Sequence, residues 1–190
     1  MKNKKAVFIC GSGGSGKSTF ANKYFFDYSI IDIDIIYEQL LIKNNLGLKI
    51  KNFNEVDTKI AADLFEKSKS LNDKKFYKSI ENGDNIVIDS IGRDASIILY
   101  QRNILEKCGY STYMIMLYAD LEECIHRVEN RNRVYSKNIT VDSWYLAYSN
   151  ISFYKKEFSE RFILIYNDIV DWKTKFEIFM NKDINKKLIV

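Results

Sequence analysis

Five short apolar runs set the plan of the chain: KAVFIC (5–10), YSIIDI (28–33), NIVIDS (85–90), TYMIMLY (112–118) and RFILIY (161–166). Each is continuous rather than alternating and rich in Ile, Val, Phe or Tyr, the pattern of strands buried on both faces. Between them the apolar spacing turns helical, over 17–26, about 35–45, 55–82 (read as two helices), 94–107, 120–131, 140–158 and 171–181. Strand and helix in alternation predict an α/β fold, a parallel sheet with helices on both faces. Crossovers are then right-handed, and ligands sit at the C-terminal ends of the strands. The polar stretch RNRVYSKNIT (131–140) joins two helices and is expected to act as a lid. The tail DINKKLIV (183–190) reads as a frayed end or an edge strand. With 190 residues and no repeat or Gly/Ser linker, the expectation is one domain spanning 1–190.

Composition narrows the class. The chain is 46% hydrophobic and 14% aromatic, enough for a sizeable core. Cys10, Cys108 and Cys124 are scattered, which argues against a disulfide scaffold or a zinc site. No apolar run reaches membrane-spanning length, and MKNKK followed by a short apolar run does not read as a signal peptide. The expectation is a cytoplasmic protein with no membrane contact. The net charge of +4 is compatible with an anionic substrate. Of 29 basic residues only 6 are Arg, so a position that keeps guanidinium geometry attracts attention.

The chemistry begins at GSGGSGKST (11–19), directly after the first strand. Gly11-x4-Gly16-Lys17-Ser18 satisfies the Walker A pattern, and an amphipathic helix follows, as that motif requires. The nucleotide-binding candidates are Gly11, Ser12, Gly13, Gly14, Ser15, Gly16, Lys17, Ser18 and Thr19. Backbone N–H groups and the helix N-terminus would hold phosphate, Lys17 would reach the terminal phosphates and the Ser18 hydroxyl would ligate Mg²⁺. No N-K-x-D base-reading motif is present, so ATP is the expected donor.

Two acidic segments lie at the ligand-binding ends of neighbouring strands. Asp89 closes NIVIDS and is a candidate for Mg²⁺ or the acceptor, its competing reading being a turn cap. Arg93, at the start of the next helix, could hold an anionic acceptor or simply be a surface residue. In SIIDIDIIYE (29–38), Asp32 and Asp34 would project to one side of an extended segment. Asp34 also falls where the next helix begins, where it could serve as the N-cap. Arg127 and Arg131 are spaced i,i+4 on one helix, with Arg133 beyond, suited to neutralising a transferring phosphoryl group or merely to a helix C-terminus. His126 reads as exposed, and Trp144 and Trp172 as packing residues.

Together these motifs resemble the zeta-toxin and polynucleotide-kinase-like branch of P-loop kinases, over roughly residues 5–168. Zeta-toxin-like kinases of tailed phages share GYSTYM (109–114) and the spacing of WYLAYSN (144–150). The resemblance implies a three-layer α/β/α P-loop fold with five strands in the order 2-3-1-4-5 and a helical lid. It implies ATP- and Mg²⁺-dependent transfer to the hydroxyl of a nucleotide, sugar nucleotide or nucleic acid. Asp34 aligns with the acid that accepts the hydroxyl's proton, Asp89 and Arg93 with acceptor-side residues, and Arg127 and Arg131 with phosphate-contacting arginines. YND (166–168) falls where the family holds adenine, and an antitoxin-type protein partner is a candidate. The chain departs from polynucleotide kinases in reading Ile35-Ile36-Tyr37-Glu38 where they tend to carry an Arg. Two other readings stand beside this one: a nucleoside monophosphate kinase and a non-catalytic nucleotide-binding module.

Overall fold

Five parallel strands form one sheet in the order β2-β3-β1-β4-β5: β1 (Lys4–Cys10), β2 (Ser29–Ile31), β3 (Ile86–Ser90), β4 (Tyr110–Tyr118) and β5 (Phe162–Tyr166). The computed structural model describes residues 4–131 and 137–167. The expected helix over 171–181 and the tail 183–190 lie outside the described residues, as do Arg133, Asp168, Trp172 and positions 132–136 of the expected lid.

The strand order is the one expected, and the burial explains why the strand sequences do not alternate. Ala6, Phe8 and Cys10 of β1 enter one core layer with Ile86, Ile88, Met114 and Met116. Val7 and Ile9 enter the opposite layer with Val87, Ile115 and Leu117. Both faces are covered, so every position from Ala6 to Cys10 is apolar and fully buried. The helices are α1 (Lys17–Tyr24), α2 (Ile33–Lys43), α3 (Glu55–Asn82), α4 (Ala95–Lys107), α5 (Leu121–Glu129), α6 (Lys137–Ser149) and α7 (Ile151–Phe158). Among the described residues none is long and apolar enough to cross a membrane.

Three boundaries differ from expectation. The region 55–82 is one 28-residue helix rather than two. It has no glycine or proline, and buried Ala61, Leu64, Ser68, Phe76 and Ser79 keep an inward stripe throughout. Ser68, which interrupts the apolar pattern, satisfies its hydroxyl on Phe65 O at 2.6 Å. The helix expected over 140–158 instead divides at Asn150 into α6 and α7. Strand β2 stops at Ile31, and α2 has begun by Ile33. Asp32 and Asp34 are therefore not two positions of one extended segment.

Helices α2 and α3 share a core of their own. Tyr37, Leu41, Ala61 and Leu64 pack together with Leu46, Leu48 and Phe65 around them. The far half of α3 joins the sheet instead, through Phe76 and Ile80. Thus α2 is held through α3. Leu41 is fully buried there. Replacing it with Ala is expected to lower stability by about 3 kcal/mol in urea unfolding. Amide exchange should rise in α2 and the first half of α3 while β1 stays protected.

Candidate nucleotide-binding site

The loop from Gly11 to Gly16 leaves the end of the central strand and runs directly into α1. Its glycines answer to space as well as to dihedral angle. At Gly14 (φ +85°) a Cβ would lie 2.4 Å from Cys124 O, because α5 packs directly on the loop. At Gly16 (φ +94°) it would lie 2.5 Å from Asn167 Nδ2. The first contact is with backbone and tolerates no side chain, the second would push the Asn167 amide aside, and both dihedrals favour glycine.

The hydrogen bonding of this loop is one-sided. All six of its carbonyls are engaged. Lys17 Nζ donates to Gly11 O (2.9 Å) and Ser12 O (3.0 Å). Ser12 Oγ donates to Gly13 O, Arg127 Nη1 to Gly14 O (3.3 Å), Asn167 Nδ2 to Ser15 O (2.8 Å) and Phe20 N–H to Gly16 O (2.9 Å). Among the described residues, however, the N–H groups of Gly13, Gly14, Gly16, Lys17 and Ser18 meet no acceptor. Gly16 offers α1 no side-chain cap either. Free donors at a helix N-terminus, with the carbonyls tied away, make a receptor for an anion. Ser15 Oγ is also buried without a partner, on the Gly11 side of the loop.

Lys17 and Asp89 meet at the mouth of the loop. Asp89 reaches it because β3 pairs with β1, with Asp89 opposite Ile9. Lys17 Nζ lies 3.9 Å from Asp89 Oδ1, and the Ser18 hydroxyl donates to Asp89 Oδ2 over a long 3.5 Å. Burial pushes the Asp89 carboxyl up to about 7. The Lys17 ammonium pulls it down, the charges of Asp32 and Asp34 push it up, and the Ser18 hydrogen bond lowers it. A carboxylate this buried, beside other acids, is short of positive charge. The hydroxyl and carboxylate are hard oxygen donors suited to Mg²⁺. Among the described residues no group of three or more His, Cys, Asp or Glu side chains is arranged to hold a metal.

Asp32, not Asp34, is the N-cap of α2: its Oδ1 accepts the Asp34 N–H at 2.8 Å. Its carboxyl is raised first by burial and then by the Asp34 charge, with backbone N–H groups opposing. The capped turn leaves Asp34 half-buried in the first turn, close enough to Asp89 to raise its pKa. The two acids thus differ in the helix, where Asp32 is the cap and Asp34 a first-turn residue, while both carboxylates lie close enough to Asp89 to raise its pKa.

The expected arginines are placed unevenly. Arg127 on α5 reaches the loop at Gly14 O and is braced by Glu123 at 2.7 Å. Arg131 does not share its helix face. Helix α5 ends at Glu129, because Asn130 turns its amide onto His126 O and caps the helix. Arg131 is exposed beyond that cap. Arg93 is exposed in the loop before α4, just ahead of the capping Asp94. His126 is exposed, as expected.

Ser12 faces away from the candidate anion site: its N–H points at the Tyr148 hydroxyl (3.4 Å) and its Oγ lies 3.2 Å from Ser143 Oγ. The site is braced by residues to which the sequence assigns packing or no role. Tyr148 donates to Leu117 O and Trp144 to Ala119 O, tying α6 to the end of β4. Asn150 donates to Gly92 O and Arg93 O, and Tyr154 to Gly92 O, fixing the loop that carries Arg93. The W-x3-Y-x-N spacing is the one signal in the sequence, and it covers Trp144, Tyr148 and Asn150 but not Tyr154.

The comparisons with known proteins agree with this geometry. The family described as AAA domain matches residues 7–150. No curated protein matches the chain in sequence. Among solved structures, the AvrRxo1-ORF1:-ORF2 complex with ATP aligns with a TM-score of 0.68 at 13% identity, covering 86% of this chain and 55% of that one. A structure of the PezAT chromosomal toxin–antitoxin system of Streptococcus pneumoniae aligns at 0.59 and 17% identity, covering 88% and 69%. A kinase candidate of Chloroflexus aurantiacus aligns at 0.61 and 10% identity over 98% of both chains. The chain thus spans about half the length of the AvrRxo1 protein. These likenesses show a shared P-loop fold, the fold that the resemblance to zeta-toxin-like proteins implies.

Asp89 imposes a pH dependence. Its folded pKa of about 7 lies above the ordinary 3.8, so between those values the folded chain keeps a proton that the unfolded chain has released. Raising the pH through that window ionises the buried group and lowers stability, with no further loss from it above about 7. Asp32 shifts in the same direction. The urea midpoint should be lower at about pH 7.5 than at about pH 5, and Asp89→Asn should shrink the difference. An unchanged difference would refute the assignment.

Proposed function

The chain belongs to the AAA-domain family matched over residues 7–150, and from that premise we propose that it is an ATP- and Mg²⁺-dependent kinase acting on a hydroxyl acceptor. One observation carries the reading: among the described residues the N–H groups of Gly13, Gly14, Gly16, Lys17 and Ser18 meet no acceptor, while all six carbonyls of the loop are held. The ATP in the AvrRxo1 complex supports the choice of donor.

In this reading the free N–H groups and Lys17 bind the phosphates, and Ser18 and Asp89 hold Mg²⁺, which offsets the charge of the transferring group. Lys17 lets go of Gly11 O and Ser12 O to reach phosphate. Asp34 takes the proton of the acceptor hydroxyl, whose oxygen bonds the γ-phosphorus as the bond to the β-phosphate oxygen breaks, leaving ADP. Arg127 stabilises the phosphoryl oxygens from the α5 side, and Arg131 joins it from beyond the helix end. Arg93, on its braced loop, orients the acceptor. The acceptor is a nucleotide, sugar nucleotide or nucleic-acid end, and the reaction is cytoplasmic. The PezAT and AvrRxo1 likenesses support an antitoxin-type protein as partner.

Asp34→Asn should reduce transfer by about 10²- to 10⁴-fold while ATP affinity stays near the wild-type value. Lys17→Ala should abolish tight ATP binding. Labelled ATP offered with nucleosides, sugar nucleotides, 5′-hydroxyl oligonucleotides and nucleoside monophosphates reads out both transfer and acceptor. Transfer to monophosphates alone would make the chain a monophosphate kinase. ATP binding without transfer to any of them would leave a nucleotide-binding module.

A further inference from the structure

One side chain ties the end of the sheet to the phosphate loop. Asn167 follows β5, and its backbone N–H donates to Tyr118 O at 2.9 Å, extending the β4–β5 ladder in register. With its main chain pinned there, its side-chain Nδ2 donates to Ser15 O at 2.8 Å. The same nitrogen lies 2.5 Å from where a Cβ on Gly16 would be. The amide therefore covers the Ser15–Gly16 peptide on its carbonyl side.

A trans peptide is planar, so its C=O and N–H point in opposite directions. Holding Ser15 O fixes the Gly16 N–H, one of the free donors of the loop. Without that hold, glycine at 16 lets the peptide plane rotate. A flip would turn a carbonyl oxygen toward bound anions in place of an N–H. We infer that Asn167 is a positioning residue of the donor site, aiming the Gly16 N–H at the phosphates by holding the Ser15 carbonyl. Its segment falls where the resemblance puts adenine, yet one N–H of its side-chain amide is given to the loop. Asn167 thus serves the phosphate end of the nucleotide. The inference rests on the nucleotide-binding reading above.

The test compares wild type with Asn167→Ala and with Asn167→Leu, which keeps the bulk but cannot donate. ATP and inorganic tripolyphosphate each compete against a fluorescent ATP analogue, and circular dichroism monitors the fold. The expected result is an equal loss for both competitors, about three- to tenfold for one hydrogen bond, with an unchanged spectrum. Weaker ATP with unaltered tripolyphosphate would assign Asn167 to the base and overturn the inference. Unaltered binding of both in either folded variant would also overturn it, leaving the donor site itself intact. If the wild type bound neither ATP nor tripolyphosphate, the nucleotide reading would fall, and this inference with it.

Discussion

A phosphate-binding loop must be ordered while its N–H groups stay free, and the rest of this structure is arranged around that constraint. Ordering a backbone ordinarily means pairing both of its polar groups. Here the carbonyls alone are fully paired, and the partners come from every side. Lys17 closes the loop from within, Arg127 comes from α5, and Asn167 comes from the end of β5. The Gly11 N–H is anchored on Ile91 O, and Ser12 turns its N–H and hydroxyl into α6. The glycines are the other half of the arrangement, since side chains at 14 or 16 would displace the partners that hold the loop.

The second constraint is electrostatic. Three acids, Asp32, Asp34 and Asp89, share the mouth of the loop with Lys17. Mutual repulsion and burial raise the Asp32 and Asp89 carboxyls, so the site holds more negative charge than Lys17 alone relieves. A bound cation would offset it, which couples metal binding to the ionisation of Asp89. At Asp32 the backbone N–H groups of α2 oppose the shift, and burial still outweighs them.

Part of this was open to inspection in the residues themselves. Continuous apolar strands are unambiguous when both faces are buried, and the Walker A pattern carries its own geometry. Helix boundaries were harder to read. Asn150 and Asn130 fit a helical pattern, but their side chains hydrogen-bond to carbonyls, on Gly92 and Arg93 in one case and on His126 in the other. The first marks the break between α6 and α7, and the second ends α5 before Arg131. No local periodicity reveals such competition, because the carbonyls bonded by Asn150 lie more than fifty residues away in sequence.

Local chemistry in the sequence alone determined the sheet, its parallel character and the phosphate loop, since burial pattern and glycine spacing are properties of neighbouring residues. Tertiary structure decided the rest. It made Asp32 the cap and placed Asp34 in the first turn of α2, because β2 ends one residue before the cap. It brought Tyr148, Asn150, Tyr154 and Asn167 onto the loops that carry the site. Those four act through one or two hydrogen bonds each across long stretches of chain, and only the packing of helices on the sheet sets which groups come within reach.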